Sequence, residues 1–341
     1  MKILVTGGLG YIGSHTVVAL LNQGYEVVII DNLSNSSLAV LDRISAITAK
    51  TPKFHKIDLR EKNTVVQFFD QHQDIKGIIH FAASKAVGES VEKPLLYYEN
   101  NISSLVYLLQ EMKNRSLSNF IFSSSCTVYG QADELPITEN APVKKAESPY
   151  GNTKLIGENM IEDFCKSKKN FKAISLRYFN PIGAHSSAKI GELPIGTPQN
   201  LVPFITQTAI GKRKELSVFG DDYNTPDGTC IRDYIHVMDL AEAHVRALER
   251  LLKNETEKNY EVFNLGTGSG SSVMEIIKAF EKVTNQKLPY KIADRRAGDI
   301  TAAFADTKKA NEILGWKAKR SLEKALSSAW NWEVEVNKEK L

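Results

Sequence analysis

Cysteine is scarce. Cys126, Cys165 and Cys230 stand far apart and are odd in number, so neither a disulfide framework nor a zinc-ligand spacing emerges from them. That pattern fits a reducing compartment; a cytoplasmic protein with no bound metal is expected. No apolar run approaches the roughly 20 residues needed to span a bilayer. The amino-terminal apolar stretch is broken by glycines and lacks a basic flank and cleavage site, so no secretory leader is expected. Charge of one sign is lacking too: 43 Lys+Arg against 40 Asp+Glu leave +3, too little to imply nucleic acid as a partner. The one tight basic cluster, Gly211-Lys212-Arg213-Lys214, reads as a solvated turn. There is no internal repeat and no low-complexity tract. Hydrophobic residues at 42% and charged residues at 24% are ordinary for a soluble globular chain.

What is present begins at once. Residues 2–6 (Lys-Ile-Leu-Val-Thr) read as a short buried strand, stopped by Gly7-Gly8. A helical pattern follows over 14–22, with Val17, Val18, Leu20 and Leu21 apolar, and 26–30 form a second strand closed by Asp31. Gly7, Gly10 and Gly13 thus lie in the turn of a βαβ unit. Missing side chains there let the backbone approach a pyrophosphate seated on the helix amino terminus. Asp31 comes 18 residues after Gly13, about where an acid takes the adenosine ribose hydroxyls and repels a 2′-phosphate. The glycines alone would say little; with both strands and the acid they specify a dinucleotide site, and NAD is expected over NADP.

Further strands are expected at 54–58, ending in Asp58, and at 77–81. There Phe81-Ala82-Ala83 leaves the strand with small residues that let the chain pass close to a cofactor. Lys85 is within reach of a phosphate, although a lone loop lysine is usually just solvated. Residues 94–113 read as one long helix with the apolar stripe Leu95, Ile102, Leu105, Leu108, Leu109 and Met112. A strand over 119–123 runs into Ser123-Ser124-Ser125. This alternation specifies a doubly wound parallel α/β sheet (Rossmann) with ligands at the carboxyl ends of its strands. At 341 residues the chain outgrows a single core. A first domain over 1–179, rejoined by segments near 235–265, and a smaller mixed α/β lobe over 180–341 are expected.

The chemistry centres on Ser148-Pro149-Tyr150-Gly151-Asn152-Thr153-Lys154. Ser148 suits a helix cap and Pro149 the first helical position. Tyr150 and Lys154 then stand one turn apart on one face, a phenol beside an ammonium near the positive end of a helix dipole. Both influences favour the phenolate, so Tyr150 is the candidate base. A Tyr-x-x-x-Lys spacing is common by chance; what singles this one out is the serine run of the neighbouring βα unit, brought to the same sheet edge.

With these segments, the chain resembles the extended short-chain dehydrogenase/reductase superfamily, and within it the UDP-glucose 4-epimerases. The likeness is carried by residues 6–15, 31–33, 85–90, 122–130, 148–154, 176–183 and 232–240, and extends over nearly the whole chain. It is more specific at Arg177-Tyr178-Phe179-Asn180-Pro181 and Arg232-Asp233-Tyr234-Ile235-His236-Val237 than at the shared glycines. The resemblance implies Tyr150 as base, Lys154 on the nicotinamide ribose and lowering the phenol pKa, and Ser125 on the sugar O4. It implies an NAD site of Gly7, Gly10, Tyr11, Ile12, Gly13, Asp31, Asn32, Asp58, Phe81, Ala82, Ala83, Lys85, Asn100, Ser123 and Tyr178. A UDP-sugar site of Asn180, Asn200, Leu201, Phe219, Arg232, Arg296 and Asp299 is implied in the second lobe, with Phe219 near uracil and Asp299 on its ribose. It also implies a homodimer through helices near 94–113 and 150–168.

Residue by residue, alternatives stand beside these roles. Phe219 reads equally as strand core, His236 as a structural histidine, Gly266-Thr267-Gly268-Ser269-Gly270 as a turn into a helix over 273–280, and Trp330 and Trp332 as packing in a helix over 321–332. Nucleotide-sugar 4,6-dehydratases share the NAD half but carry an Asp-Glu pair just after the position of Ser125. Cys126 and Thr127 stand there instead, which disfavours dehydration. A non-catalytic NAD-binding regulator would not need Tyr150, Lys154 and Ser125 together. Ala303 falls where glucose-specific relatives usually carry a tyrosine, which implies room for an N-acetyl group at C2.

Overall fold

Ile3, Leu4 and Val5 are fully buried, as a central parallel strand requires, and β1 (Lys2–Thr6) lies inside the main sheet. The computed structural model describes residues 1–144, 146–296 and 299–338. After β1 come α1 (Tyr11–Asn22), β2 (Glu26–Asp31), α2 (Ala39–Thr48), β3 (Lys53–Lys56), α3 (Lys62–Gln71) and β4 (Ile75–His80). Two short helices, α4 (Val87–Glu92) and α5 (Pro94–Tyr98), lead through one π-helical turn (Glu99–Ser103) into α6 (Ser104–Asn114). Then follow β5 (Asn119–Ser125), α7 (Pro149–Ser167) and β6 (Lys172–Tyr178). The next elements are short: β7 (Asn180–Ile182), α8 (Leu201–Ala209), β8 (Leu216–Phe219), β9 (Ile231–Arg232) and β10 (Tyr234–His236). The chain returns with α9 (Val237–Leu252) and β11 (Tyr260–Leu265). It finishes through β12 (Ser271–Ser272), α10 (Val273–Thr284), β13 (Tyr290–Ala293), β14 (Ala302–Ala303) and α11 (Leu322–Lys338).

The main sheet has the order β11-β6-β5-β4-β1-β2-β3, parallel throughout. From β1 the chain moves outward to β2 and β3, then crosses back to β4 on the other side. The crevice at that reversal is where open α/β sheets take ligands. Each face of the sheet carries its own core. Val17, Leu20, Leu240, Leu248 and Phe263 pack on one, Phe68, Leu105, Leu108, Met112 and Ile161 on the other. A third core, with Ile182, Val202, Ile205, Ile276, Phe280 and Leu326, lies among the shorter elements.

The expected helix over 94–113 is therefore two helices joined by a π turn. Its stripe begins later than expected, because Leu95 is 80% exposed and only Leu105, Leu108, Leu109 and Met112 are buried. The extra residue of the π turn lets Asn101 face inward, where it grips neighbouring segments as described below. The strand expected over 54–58 stops at Lys56; Asp58 accepts the backbone N–H of Arg60 at 2.9 Å and starts a turn. The segment 260–265 does return, as the edge strand β11 beside β6. The Gly-rich loop after it is a turn clamped by Asp233, whose carboxylate accepts from Thr267 N (2.8 Å), Thr267 Oγ1 (2.7 Å) and Gly268 N (3.2 Å). Ser272 and Glu275 then form a reciprocal cap for α10.

Candidate active site

The loop between β1 and α1 is shaped for an anion. Gly7 has φ +66°, and a side chain on it would come within 2.7 Å of Ala82 N; one on Gly13 would come within 2.2 Å of Gly7 O. Only glycine lets these strands of backbone lie so close. Gly10, at the amino end of α1, offers no capping side chain, and the first turn carries no acid, so the amides of Tyr11, Ile12 and Gly13 face outward from a positive helix end. Asp31 ends β2 with Oδ2 accepting from Leu9 N (3.1 Å) and Oδ1 from Leu33 N (3.0 Å) and Ser36 Oγ (2.8 Å). Beside it Asn32 Nδ2 reaches Asp58 Oδ2 at 3.2 Å. The Arg60 guanidinium, 2.7 Å away, holds the Asp58 carboxyl at about 2. A bare-backbone cradle at the switch point, followed by buried acid at the end of β2, fits a dinucleotide such as NAD: pyrophosphate on the glycines, adenosine towards Asp31, Asn32 and Asp58.

Across the crevice, Phe81, Ala82 and Ala83 leave β4 as expected, Ala82 packing against Gly7. Asn100 bonds Ser84 Oγ at 3.1 Å. Lys85 is half exposed, and its Nζ lies 3.2 Å from Glu192, which also accepts from Asn200 Nδ2 at 2.7 Å. Tyr11 reaches across to donate to Gly183 O at 2.6 Å, tying the glycine loop to the segment after β7.

The Tyr-Lys helix forms as its start signals require. Ser148 Oγ accepts from Gly151 N at 3.2 Å, and Pro149 occupies the first turn of α7. The Ser125 hydroxyl stands near the Tyr150 phenol and favours its ionised form. Lys154 Nζ donates to Ser123 O at 2.6 Å and stands 5.9 Å from the Tyr150 ring centre and 5.0 Å from that of Phe122. Burial dominates both titratable groups. It pushes the Tyr150 phenol up to about 12, against the lowering influence of Ser125, and pulls the Lys154 ammonium down to about 7. The depressed phenol expected from a neighbouring ammonium and a helix dipole is thus not produced by the protein alone. A site this dry disfavours either charge without its counterpart.

The shorter elements bring a second group together. Arg232 Nη2 (3.4 Å) and Arg296 Nη2 (2.9 Å) both donate to Asp299 Oδ1. Phe219, at the end of β8, is 42% exposed with its ring 5.9 Å from the Arg296 guanidinium, so it is no core residue. Arg232 is also near enough to Cys126 to act on its thiol, which places this cluster beside the Ser125 end of β5. Asn180 opens β7, and Asn200 and Leu201 open α8. Ala303, 3% exposed, pairs with Arg232 across β14 and β9 and packs among Val128, Tyr129 and Phe179 with Cys126 at the rim. His236 is structural: its Nδ1 caps α9 by accepting from Met238 N at 3.0 Å.

Several residues that hold the site carry no signal in the motifs of the sequence. Asn101 is buried; its Nδ2 donates to Ser84 O and to Thr153 Oγ1, both at 3.0 Å, joining the loop after β4 to α7. Glu158, one turn beyond Lys154, takes a bidentate pair from Arg177 (2.9 and 2.5 Å) and the Ser124 hydroxyl (2.5 Å). Arg177 also donates to Tyr129 OH at 2.8 Å. The buried pair fixes α7 on β5 and β6.

Known proteins resemble this chain over almost its whole length. The family model described as GDP-mannose 4,6 dehydratase matches residues 4–329. The UDP-glucose 4-epimerase of Bacillus subtilis is 52% identical over 333 residues, 98% of this chain and 97% of that one. A similar crystal structure is that of UDP-glucose 4-epimerase from Stenotrophomonas maltophila with bound NAD and formylated UDP-arabinopyranose. Its TM-score is 0.96 at 46% identity, covering 99% of each chain. The UDP-Glc/GlcNAc 4-epimerase of Campylobacter jejuni aligns with a TM-score of 0.84 at 38% identity, covering 98% of this chain and 99% of that one.

Proposed function

The chain belongs to the UDP-glucose 4-epimerase family of extended short-chain dehydrogenases/reductases, and we propose that Tyr150, Lys154 and Ser125 carry its reaction. It is an NAD-dependent isomerase that interconverts UDP-glucose and UDP-galactose through a 4-keto sugar. Bound NAD supplies a hydride acceptor that gives the hydride back, together with a positive ring that favours the phenolate. Tyr150 takes the O4 proton and later returns it. Ser125, near that phenol, steadies O4. Lys154 holds the nicotinamide ribose and keeps a cation under the phenolate. Arg232 and Arg296 hold the pyrophosphate of the substrate, with Asn180, Asn200, Leu201, Phe219 and Asp299 around the nucleotide. Anchoring by the nucleotide leaves the hexose free to turn its other face, so the proton and hydride return on the opposite side and C4 is inverted.

The observation that carries this reading is the convergence of Tyr150, Lys154 and the serine strand on one sheet edge beside the glycine cradle. The 4,6-dehydratase alternative lacks its carboxyl pair, and burial pushes the Cys126 thiol that stands there up to about 12, unfit for base work at neutral pH. The small side chain at Ala303 supports acceptance of UDP-GlcNAc and UDP-GalNAc as well, and the similar Campylobacter jejuni protein is itself a UDP-Glc/GlcNAc 4-epimerase. Two copies pair through the helices near 94–113 and 150–168, a reading supported by the exposed Leu95 and Leu96 at the start of the first. The division at residues 179/180 follows the change from long parallel strands to short elements. Incubation with each of the four UDP-sugars and separation of the products tests the function. Interconversion within the gluco/galacto pair is required; an inert protein, or loss of water from the sugar, refutes it.

A further inference from the structure

His244 lies buried in α9 and takes no part in the steps above, yet its ring is bonded in only one way. Nδ1 is 2.8 Å from the carbonyl oxygen of Leu240, which can only accept, so Nδ1 carries a proton. Burial pulls the imidazolium down to about 4, so at neutral pH that proton is the ring's only one and Nε2 is bare. Nε2 is 2.9 Å from the Tyr178 hydroxyl, which must therefore be the donor. The phenol oxygen keeps lone pairs but no proton for any other partner. Tyr178 stands in register with Ser125, and the Phe81 ring closes over His244 at 4.7 Å. An oxygen that can only accept thus sits near Ser123 and Tyr150.

We propose that His244 is a positioning residue that makes Tyr178 an acceptor-only contact and so selects, on a pyridine dinucleotide, the N–H-bearing carboxamide. The inference rests on the reading of this pocket as the nicotinamide end of the NAD site. A dinucleotide with an acetyl group in place of the carboxamide offers only a carbonyl, and Tyr178 has no proton left to give it.

The test reconstitutes the holoenzyme from an equimolar mixture of NAD and 3-acetylpyridine adenine dinucleotide, then quantifies what the protein retains by chromatography. The unaltered protein is expected to favour NAD by about tenfold, one buried neutral hydrogen bond. His244→Phe frees the Tyr178 hydroxyl to turn and donate, and the ratio is expected to fall to within about twofold of unity. Tyr178→Phe removes the oxygen and gives the same collapse, after which adding His244→Phe changes nothing further. A merely structural histidine would weaken both dinucleotides alike and leave the ratio where it was. Equal retention by the unaltered protein, or an unchanged ratio in Tyr178→Phe or His244→Phe, overturns the proposal. Should His244→Phe not fold, His244→Leu replaces it, with the same ratio read. Failure of the underlying site reading looks different: the unaltered protein then retains neither dinucleotide.

Discussion

Replacing Lys154 by methionine should raise stability while destroying activity. Burial pulls the Lys154 ammonium from 10.5 down to about 7. A lysine whose folded pKa is depressed binds fewer protons in the folded chain than in the unfolded one. Between about 7 and 10.5, then, stability rises with pH, and the full penalty is felt below that window. At about 1.36 kcal/mol per unit, the penalty is roughly 4 kcal/mol at pH 7 and roughly 2 kcal/mol at pH 9. Methionine keeps the unbranched stem and has no charge to desolvate. It gives up the 2.6 Å bond to Ser123 O, a loss of roughly 2 kcal/mol when the carbonyl is left buried and unpaired. Lys154→Met is therefore expected to gain roughly 2 kcal/mol at pH 7 and to lose that advantage by pH 9. Turnover should drop by roughly 10²-fold or more, because no ammonium then supports the phenolate. Urea unfolding of both proteins, freed of dinucleotide, at pH 7 and pH 9 reads the first effect; conversion of UDP-galactose reads the second. A variant less stable at pH 7, or a difference that does not vary with pH, refutes the reasoning.

Tyr150→Phe should lower turnover by roughly 10²–10⁴-fold with NAD still retained, and near-normal turnover would remove the phenol from the mechanism. Ala303→Tyr should abolish conversion of the N-acetylated pair while sparing UDP-glucose and UDP-galactose, measured as kcat/KM on each; a parent protein that refuses UDP-GlcNAc ends that idea. Leu95→Asp, at a position 80% exposed in the single chain, should shift the protein to monomer in sedimentation analysis without loss of thermal stability. A dimer unaffected by the change places the contact elsewhere.

What the sequence makes readable is local. The glycines at 7, 10 and 13 and the pair Tyr150 and Lys154 each act within one turn or one βαβ unit, so spacing together with the flanking strands, Asp31 and the serine run exposes them. The supporting residues act across the chain: Asn101 meets Thr153, Tyr178 meets His244, and Lys85 meets Glu192, each far apart in number. No periodicity announces such contacts. Hints exist all the same. Asn100-Asn101 interrupts the apolar stripe of a helix where the π turn falls, and Arg177 is a charge inside a buried strand, which demands a partner. The phenol departs from its expected pKa for a related reason. Helix dipole and neighbouring lysine are visible in sequence, whereas the depth of burial that outweighs them is a property of the folded molecule.

The sharing of Asp299 by Arg232 and Arg296 changes how a nucleotide is captured. The two guanidiniums do not wait as a bare positive well, since the protein brings its own anion to them. An arriving diphosphate competes for partners already engaged, so little force reaches out to it through the solvent, and the rate of encounter should vary only weakly with ionic strength. Departure is helped by the same arrangement. When the nucleotide leaves, no pair of naked cations has to be rehydrated, because the carboxylate takes them back.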